Sequence, residues 1–290
     1  MPAQARGAAT VSQSQVVASW GDNGTGQLGD GTTISRSRYG DIGALDNVVR
    51  VAVGYGQVLA VRSDGTAWAW GSNFHGELGD GTTDARFAPV QVTGLTGVTQ
   101  VAGGCDHSLA LRSDGTVRAW GGNTVGQLGN GSTASSAVPV KITGVSQVTA
   151  IAAGWDSAVA IVAGGASVWA WGGNDNGQLG DGTLTGHATP VRVTQIGTVH
   201  IAGAAVGYKS AAILGTDGPV WVTGLTGDTQ ARAGQVLQAA GLVLGAVTTV
   251  TDKYCNHLGV MSQDPPAGTT VRSGSAVSVT IGQAPATGCP

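Results

Sequence analysis

Apolar positions along this chain fall in short alternating runs separated by glycine-rich polar stretches, and the whole pattern recurs. Val90 and Val92, Val140 and Ile142, and Val191 and Val193 alternate with polar neighbours, which is the two-residue period of a half-buried strand. A second apolar run follows each and ends in small residues, at Val101 to Gly104, Ile151 to Gly154 and Ala202 to Gly207. Two more flank Ser63-Asp64-Gly65-Thr66 and Ser113-Asp114-Gly115-Thr116. Asp-Gly between apolar arms is a strong hairpin signal, so Leu59 to Val61 and Ala67 to Trp70 are expected to form one hairpin. Four short strands per cycle predict one antiparallel blade per cycle, and blades arranged radially hide their edges against one another.

The runs are tied together by one phrase, Trp171-Gly172-Gly173-Asn174-Asp175-Asn176-Gly177-Gln178-Leu179-Gly180-Asp181-Gly182-Thr183, with earlier copies beginning at Trp20, Trp70 and Trp120, at spacings of 50, 50 and 51 residues. A fixed period of that length marks one supersecondary unit used repeatedly, and is the size of a propeller blade. Within a copy, the Trp supplies an aromatic for a sheet face. The glycines and Asn23, Asn73, Asn123 and Asn174 tolerate the positive φ of the turn that must follow. Leu28, Leu78, Leu128 and Leu179 are the recurring apolar residues of the glycine-rich run, and each is expected to plug a gap between neighbouring units. Asp30, Asp80, Asn130 and Asp181 precede a glycine, where a short polar side chain bonds its own backbone.

Extended by Pro-Val (Pro89, Pro139, Pro190) and by Val-Ala-Gly-Gly-x-x-His-Ser-Leu-Ala-Leu at Val101 to Leu111, the phrase resembles the repeat of the regulator of chromosome condensation family over about Val16 to Gly224. The resemblance implies a β-propeller, whose well-known members close with seven blades. Seven blades at about 50 residues need roughly 350, more than the 290 present. The chain holds four cycles plus a strand at each end: Gln15 to Trp20 reads as the last strand of a missing blade, and Val220 to Gly224 repeats Val168 to Gly172. A fragment, an open arc, or a ring completed by another chain or by fewer blades all fit. Pairing of the strand near Gln15 with one near Ala212 is a candidate closure, and self-association is another way to complete the propeller.

After Gly224 the period stops. Thr229 is a helix cap, Ala233, Val236, Leu237 and Ala240 follow at helical spacing, and Gly241 is a natural stop. Strands are expected at Leu242 to Val250, from Gly259 to Gln263, and through Val277, Val279 and Ile281, with a turn at Asp264-Pro265-Pro266-Ala267-Gly268. That order, with Gln238-Ala239-Ala240-Gly241-Leu242 and Gly274-Ser275-Ala276-Val277, resembles a PASTA domain over about Val222 to Gly282, although Arg232 stands where the capping-box acid usually sits. This module occurs outside the cell on penicillin-binding proteins and bacterial serine/threonine kinases. It implies a bacterial cell-envelope or secreted setting and contact with peptidoglycan fragments, against the plainer role of cap or spacer. The expectation is therefore an all-β propeller of four-stranded antiparallel blades, about four repeats and incomplete for a seven-bladed ring, plus a small α+β PASTA-like domain. Its parts are a flexible 1–15, propeller repeats over 16–224, the PASTA-like domain over 225–283 and a tail over 284–290.

Composition changes the picture in three places. The 50 glycines with 11% charged residues come without a collagen triplet, so they report turns rather than disorder. A net charge of −3 gives no global attraction for phosphate polyanions, which argues against nucleic acid, and no run of 18 apolar residues spans a bilayer. Met1 to Gln15 has one Arg and no apolar core, so no secretory signal is visible. Either the protein stays inside or its leader went with upstream blades, and the PASTA resemblance favours the extracellular or envelope location. Cys255 and Cys289 are a candidate disulfide, which would mark an oxidising compartment, and Cys105 reads as a solitary thiol.

Catalytic patterns are thin, and no enzyme, cofactor or metal site is expected. Gly24-Thr25-Gly26-Gln27-Leu28-Gly29 satisfies a dinucleotide pattern but lacks a strand-helix unit around it. Cys105 and His107 sit on opposite faces of an extended segment, so His107 reads as structural. Asn23-Gly24-Thr25 and Asn130-Gly131-Ser132 are sequons that the turns already explain. The informative variation is at the corner before each hairpin, where Tyr55, Cys105, Trp155 and Tyr208 correspond and are followed by Gly56, Asp106, Asp156 and Lys209. Equivalent loops of successive blades lie side by side, so these aromatics and charges would line the mouth of the arc as a binding surface, or else wedge between blades as core. Phe74 and His75 form a second candidate patch. Three functional readings follow: a non-enzymatic binding protein whose loop face holds a protein or glycan while the PASTA-like domain localises to peptidoglycan; a guanine-nucleotide exchange factor acting on a small GTPase, as the family's namesake does; and a secreted inhibitor of a β-lactamase or penicillin-binding enzyme, since one such inhibitor uses this kind of propeller.

Overall fold

In the computed structural model of the chain, the described residues are 17–43, 45–162, 167–193, 201–215, 219–223, 237–238, 242–251, 259–264, 270–272 and 276–283. The expected flexible N-terminus, the tail over 284–290 and both Cys255 and Cys289 lie outside them. The chain is all-β, and among the described residues only Leu237 and Gln238 are helical, so most of the helix expected after Thr229 also lies outside them.

Three complete blades stand in a row, each an antiparallel sheet in chain order. They are β3 (Val48–Val53), β4 (Gln57–Arg62), β5 (Ala67–Gly71) and β6 (Arg86–Gln91); β7 (Val98–Gly103), β8 (His107–Arg112), β9 (Val117–Gly121) and β10 (Ser136–Lys141); and β11 (Val148–Ala153), β12 (Ser157–Val162), β13 (Ser167–Gly172) and β14 (His187–Arg192). Before them, β1 (Ala18–Gly21) and β2 (Arg36–Asp41) form a two-stranded sheet. After them come β15 (Ile201–Val206), β16 (Ala211–Gly215) and β17 (Pro219–Thr223).

The blades are out of phase with the cycles read from Trp to Trp. Each cycle closes the preceding blade with its first strand, such as β6, and opens the next with the other three. The strand near Gln15, expected to end a missing blade, is therefore a third strand, and β2 is the fourth strand beside it. Among the described residues the candidate closure is not seen either: β16 pairs with β15 and β17, and β1 with β2. The last blade instead takes its fourth strand from the C-terminal region, where β20 (Thr270–Arg272) runs antiparallel to β17 through Pro219↔Arg272, Val220↔Val271 and Trp221↔Thr270. The remaining strands, β18 (Val243–Thr251), β19 (Gly259–Asp264) and β21 (Ala276–Gln283), make the small sheet in the order β18-β21-β19, with β18 parallel and β19 antiparallel to β21.

The repeated phrase joins one blade to the next. Asn73 brackets its own loop, accepting from Leu78 N at 2.9 Å and donating to the carbonyls of Thr82 at 3.1 Å and Asp84 at 3.0 Å. That loop delivers Leu78 into a buried cluster shared by Leu59, Val61 and Ala69 of its own blade and Val98, Val101, Ala110 and Trp120 of the next, so the leucines do plug gaps between units. Trp120 completes the joint by donating its indole N–H to Glu77 O at 2.8 Å, as Trp70 does to Gln27 O at 3.0 Å and Trp171 to Gln127 O at 2.9 Å. Gly79 is required where the ring arrives: its φ is 71°, and a Cβ there would lie 2.8 Å from Trp120 Nε1.

Candidate functional site

The inner strands β3, β7, β11 and β15 touch their successors in order, and each ends in a small-residue corner. The corners are laced together by backbone bonds from Tyr55 N to Gly104 O, Cys105 N to Trp155 O and Trp155 N to Gly207 O, each 3.1 Å. Such close approach needs glycine: a Cβ on Gly54 would sit 2.5 Å from Gly104 O, and one on Gly104 would run into the His107 ring.

This lacing draws the tips into one cluster. Trp155 meets Tyr208 edge to face at a centroid distance of 4.8 Å and Tyr55 at 5.1 Å. Tyr55 and Trp155 come from blades separated by a third, whose corner residue is Cys105; that side chain is small enough for the two rings to meet across it. A cavity of about 280 Å³ lies at the corners, lined by Val53, Tyr55, Cys105, Trp155 and Val206 among others. The rings are not core. Tyr55 is 76% exposed and Trp155 and Tyr208 are half-buried, whereas Trp70, Trp120 and Trp171 are each 0% exposed.

Charge surrounds the rings. Lys209 Nζ stands 5.2 Å from the Tyr208 centroid. Asp156 accepts from Gln178 Nε2 at 3.4 Å, and burial holds its carboxyl above the ordinary range despite that bond. Asp106 Oδ2 lies 3.8 Å from His75 Nδ1, so the second candidate patch adjoins the first. Phe74 beside it is exposed and makes no ring contact with the cluster. Glu77 adds a carboxylate that sequence reading did not single out. It is buried, accepts from Ser72 Oγ at 2.7 Å and His75 N at 2.7 Å, and occupies the place of Gln27, Gln127 and Gln178 in the other copies. That departure within the phrase was the available signal.

Nucleophilic chemistry is poorly served here. Burial, then the charges of Asp106, Glu77 and Asp156, push the Cys105 thiol up to about 11, so it stays protonated near neutral pH. His107 is fully buried, neither ring nitrogen has a hydrogen-bond partner, and burial pushes it down to about 4. Among the described residues no group of three or more His, Cys, Asp or Glu is placed to hold a metal ion, and no helix is long and apolar enough to cross a membrane.

Against known families, the model described as "Regulator of chromosome condensation (RCC1) repeat" matches residues 64–111, 114–161 and 166–214, and a second model of that description matches 48–77, 98–127 and 148–178. The PASTA domain model matches 222–283. Among solved structures, human WBSCR16 is similar at a TM-score of 0.63 and 27% identity, over 72% of this chain and 57% of that one. Prp20p of Saccharomyces cerevisiae, described with its binding to Gsp1p and histones, gives 0.49 at 21% identity, over 73% and 66%. The chain thus spans less than two thirds of either structure's length. No curated protein matches.

Proposed function

The chain belongs to the regulator of chromosome condensation (RCC1) repeat family and carries a PASTA domain, and from that premise we propose a non-enzymatic binding protein: the mouth of the blade arc holds a protein partner while the PASTA domain keeps the chain at peptidoglycan, outside the cytoplasm. One observation carries the reading. Tyr55, Trp155 and Tyr208, from three different blades, meet at the corner tips, Tyr55 exposed and the other two half-buried. Exposed Tyr and Trp clusters are where interfaces concentrate energy. The cavity of about 280 Å³ at the corners has room for an anchoring side chain of a larger partner. The raised thiol of Cys105 and the buried, neutral His107 do not form a working nucleophile and base pair, which supports the non-enzymatic reading.

The test uses the full chain. Immobilised protein is incubated with bacterial envelope extract, and the unmodified chain is separately sedimented with insoluble peptidoglycan. The expected result is sedimentation with the wall, and retention of a discrete partner that Tyr55→Ala and Trp155→Ala each lose while keeping the parent's thermal unfolding profile. Retention of that partner by both variants rejects the mouth as the binding surface, and absence from the peptidoglycan pellet rejects the role given to the PASTA domain.

A further inference from the structure

Among the described residues, several carboxylates at the loop brackets and hairpin ends are paired with arginine: Asp30 with Arg36, Asp46 and Asp64 with Arg62, Asp80 with Arg86, and Asp114 with Arg112; the bracket acid Asp181 meets His187 instead. Those beside the aromatic corners have no arginine partner. Asp106 and Asp156 follow the corner residues directly, Asp175 is close enough to act on the charge of Asp156, and Asp22 lines a second cavity of about 350 Å³ that it shares with Tyr55. None of these four makes an ion pair with Lys or Arg among the described residues; Asp106 has only the His75 contact at 3.8 Å. The buried Glu77 joins Asp106 and Asp156 in acting on the Cys105 thiol at the corner, and Lys209 is the cation that acts on Asp156.

The rings repeat the asymmetry. Lys209 stands over Tyr208, while among the described residues no cation stands over Tyr55 or Trp155. Ring faces attract cations through their quadrupole, and a guanidinium can stack on such a face while its fork of N–H donors bonds a carboxylate.

Resting on the reading of the mouth as a protein-binding surface, we infer that the guest is cationic: an arginine-bearing segment of the partner protein, its guanidinium stacked against Tyr55 and Trp155 and paired with Asp106 and Asp156. The cavity has room for one such side chain, and flanking basic residues of the segment meet Asp22 and Asp175. The raised carboxyl of Asp156 agrees with this placement, because a carboxylate held above its ordinary range by burial gains most from an incoming positive charge.

The probe is a capped Gly-Ser peptide carrying three arginines, compared with its counterpart carrying neutral citrulline at the same places, titrated against the full chain at about 50 mM salt, where screening is weak. The arginine peptide is expected to bind saturably and the citrulline peptide about tenfold more weakly or worse. The isosteric double variant Asp106→Asn/Asp156→Asn should lose about tenfold for the arginine peptide and nothing for the citrulline peptide. Glu77→Gln restores the residue of the other three copies, so it folds, and should lose about twofold. No saturable binding of the arginine peptide, equal binding of the two peptides, or unchanged affinity in a double variant that unfolds at the parent's temperature each overturns the inference. The two fail separately: if Tyr55→Ala and Trp155→Ala abolish capture of the envelope partner but the double variant does not, the surface stands and the cationic guest is wrong, whereas retention of the partner by both aromatic variants rejects the surface itself.

Discussion

The two-stranded sheet at the start of the chain and the complete blades after it carry the same phrase in different surroundings. Trp20 is 65% exposed, while Trp70, Trp120 and Trp171 are 0% exposed. Val51 on β3, which faces the two-stranded sheet, is 55% exposed, while Val101 and Ile151 at the same place on β7 and β11 are 6% and 5%. The loop of the phrase is nonetheless intact in the first copy. Asn23 accepts from Leu28 N at 2.9 Å and donates to Thr32 O at 3.0 Å, as its counterparts do. The bracket is therefore local, written within a dozen residues, whereas burial of the tryptophan depends on the Gln-Leu-Gly turn of the repeat before it. In a linear array each unit is stabilised by itself and by its neighbours, and these residues separate the two contributions.

The largest expected effect follows from the tryptophans. Trp120→Ala empties the joint between two complete blades and should cost about 3–5 kcal/mol, whereas Trp20→Ala should cost about 0.5 kcal/mol or less, as surface changes do. Urea titration of both variants measures this, and equal losses would show that Trp20 is buried in solution. Gly79→Ala comes next. Its Cβ would meet the Trp120 ring at 2.8 Å in a left-handed backbone, while Gly31, with φ 83°, has nothing within 4 Å. Gly31→Ala should carry only the conformational penalty of about 1 kcal/mol, and Gly79→Ala about 1–3 kcal/mol more for overpacking. The difference between the two in the same titration isolates the contact with the ring.

Asn73→Ala and Asn23→Ala sharpen the comparison from the other side. Both asparagines are fully buried and bracket the same loop. Each substitution leaves buried backbone groups without partners, at about 1–3 kcal/mol. The two costs should agree within about 0.5 kcal/mol, in contrast to the two tryptophans. A loss confined to Asn73 would mean that the first loop is not held locally.

The same division explains what was legible in the sequence. Asn brackets, leucine plugs and Asp-Gly hairpins could be read because each is fixed by residues a few positions apart. Blade phase could not: a four-strand period looks the same wherever it is cut, and only pairing such as Trp68↔Gln91 assigns β6 to the blade before it. Strand β20 was missed because three residues carry almost no alternation, and its partner is about fifty residues away in the chain. At the mouth, equivalent corners placed Tyr55, Trp155 and Tyr208 together in advance, but the meeting of Tyr55 with Trp155 depends on the small Cys105 between them. Phe74, the weaker candidate in sequence, stays apart from the rings, because it sits on the phrase loop rather than on a corner.

The smallest effect concerns the acid at the foot of each bracket, where the incomplete and complete blades should behave alike. Asp30 accepts from Thr32 Oγ1 at 2.8 Å and Asp80 from Thr82 Oγ1 at 2.7 Å. The Asp30 carboxyl is held below its ordinary value, chiefly by its Thr32 hydroxyl bond with Arg36 helping. For Asp80, burial pushes the other way and is outweighed by Thr82 and Arg86. A carboxyl lowered in the folded state stabilises the fold above its unfolded pKa of about 3.9, and that contribution is lost as pH falls through the folded value. The third complete copy has Asn130 in this place, bonding Ser132 N at 3.0 Å without a titrating group. Asp80→Asn should therefore be tolerated, at about 1 kcal/mol or less near pH 7, and should flatten the fall in stability below about pH 4. Asp30→Asn should do the same by a similar amount, because the bracket does not depend on a preceding blade. Unfolding midpoints of the parent and both variants between about pH 2.5 and 7 check this, and a steeper acid loss in either variant would mean that its carboxylate is neutralised by something other than its own loop.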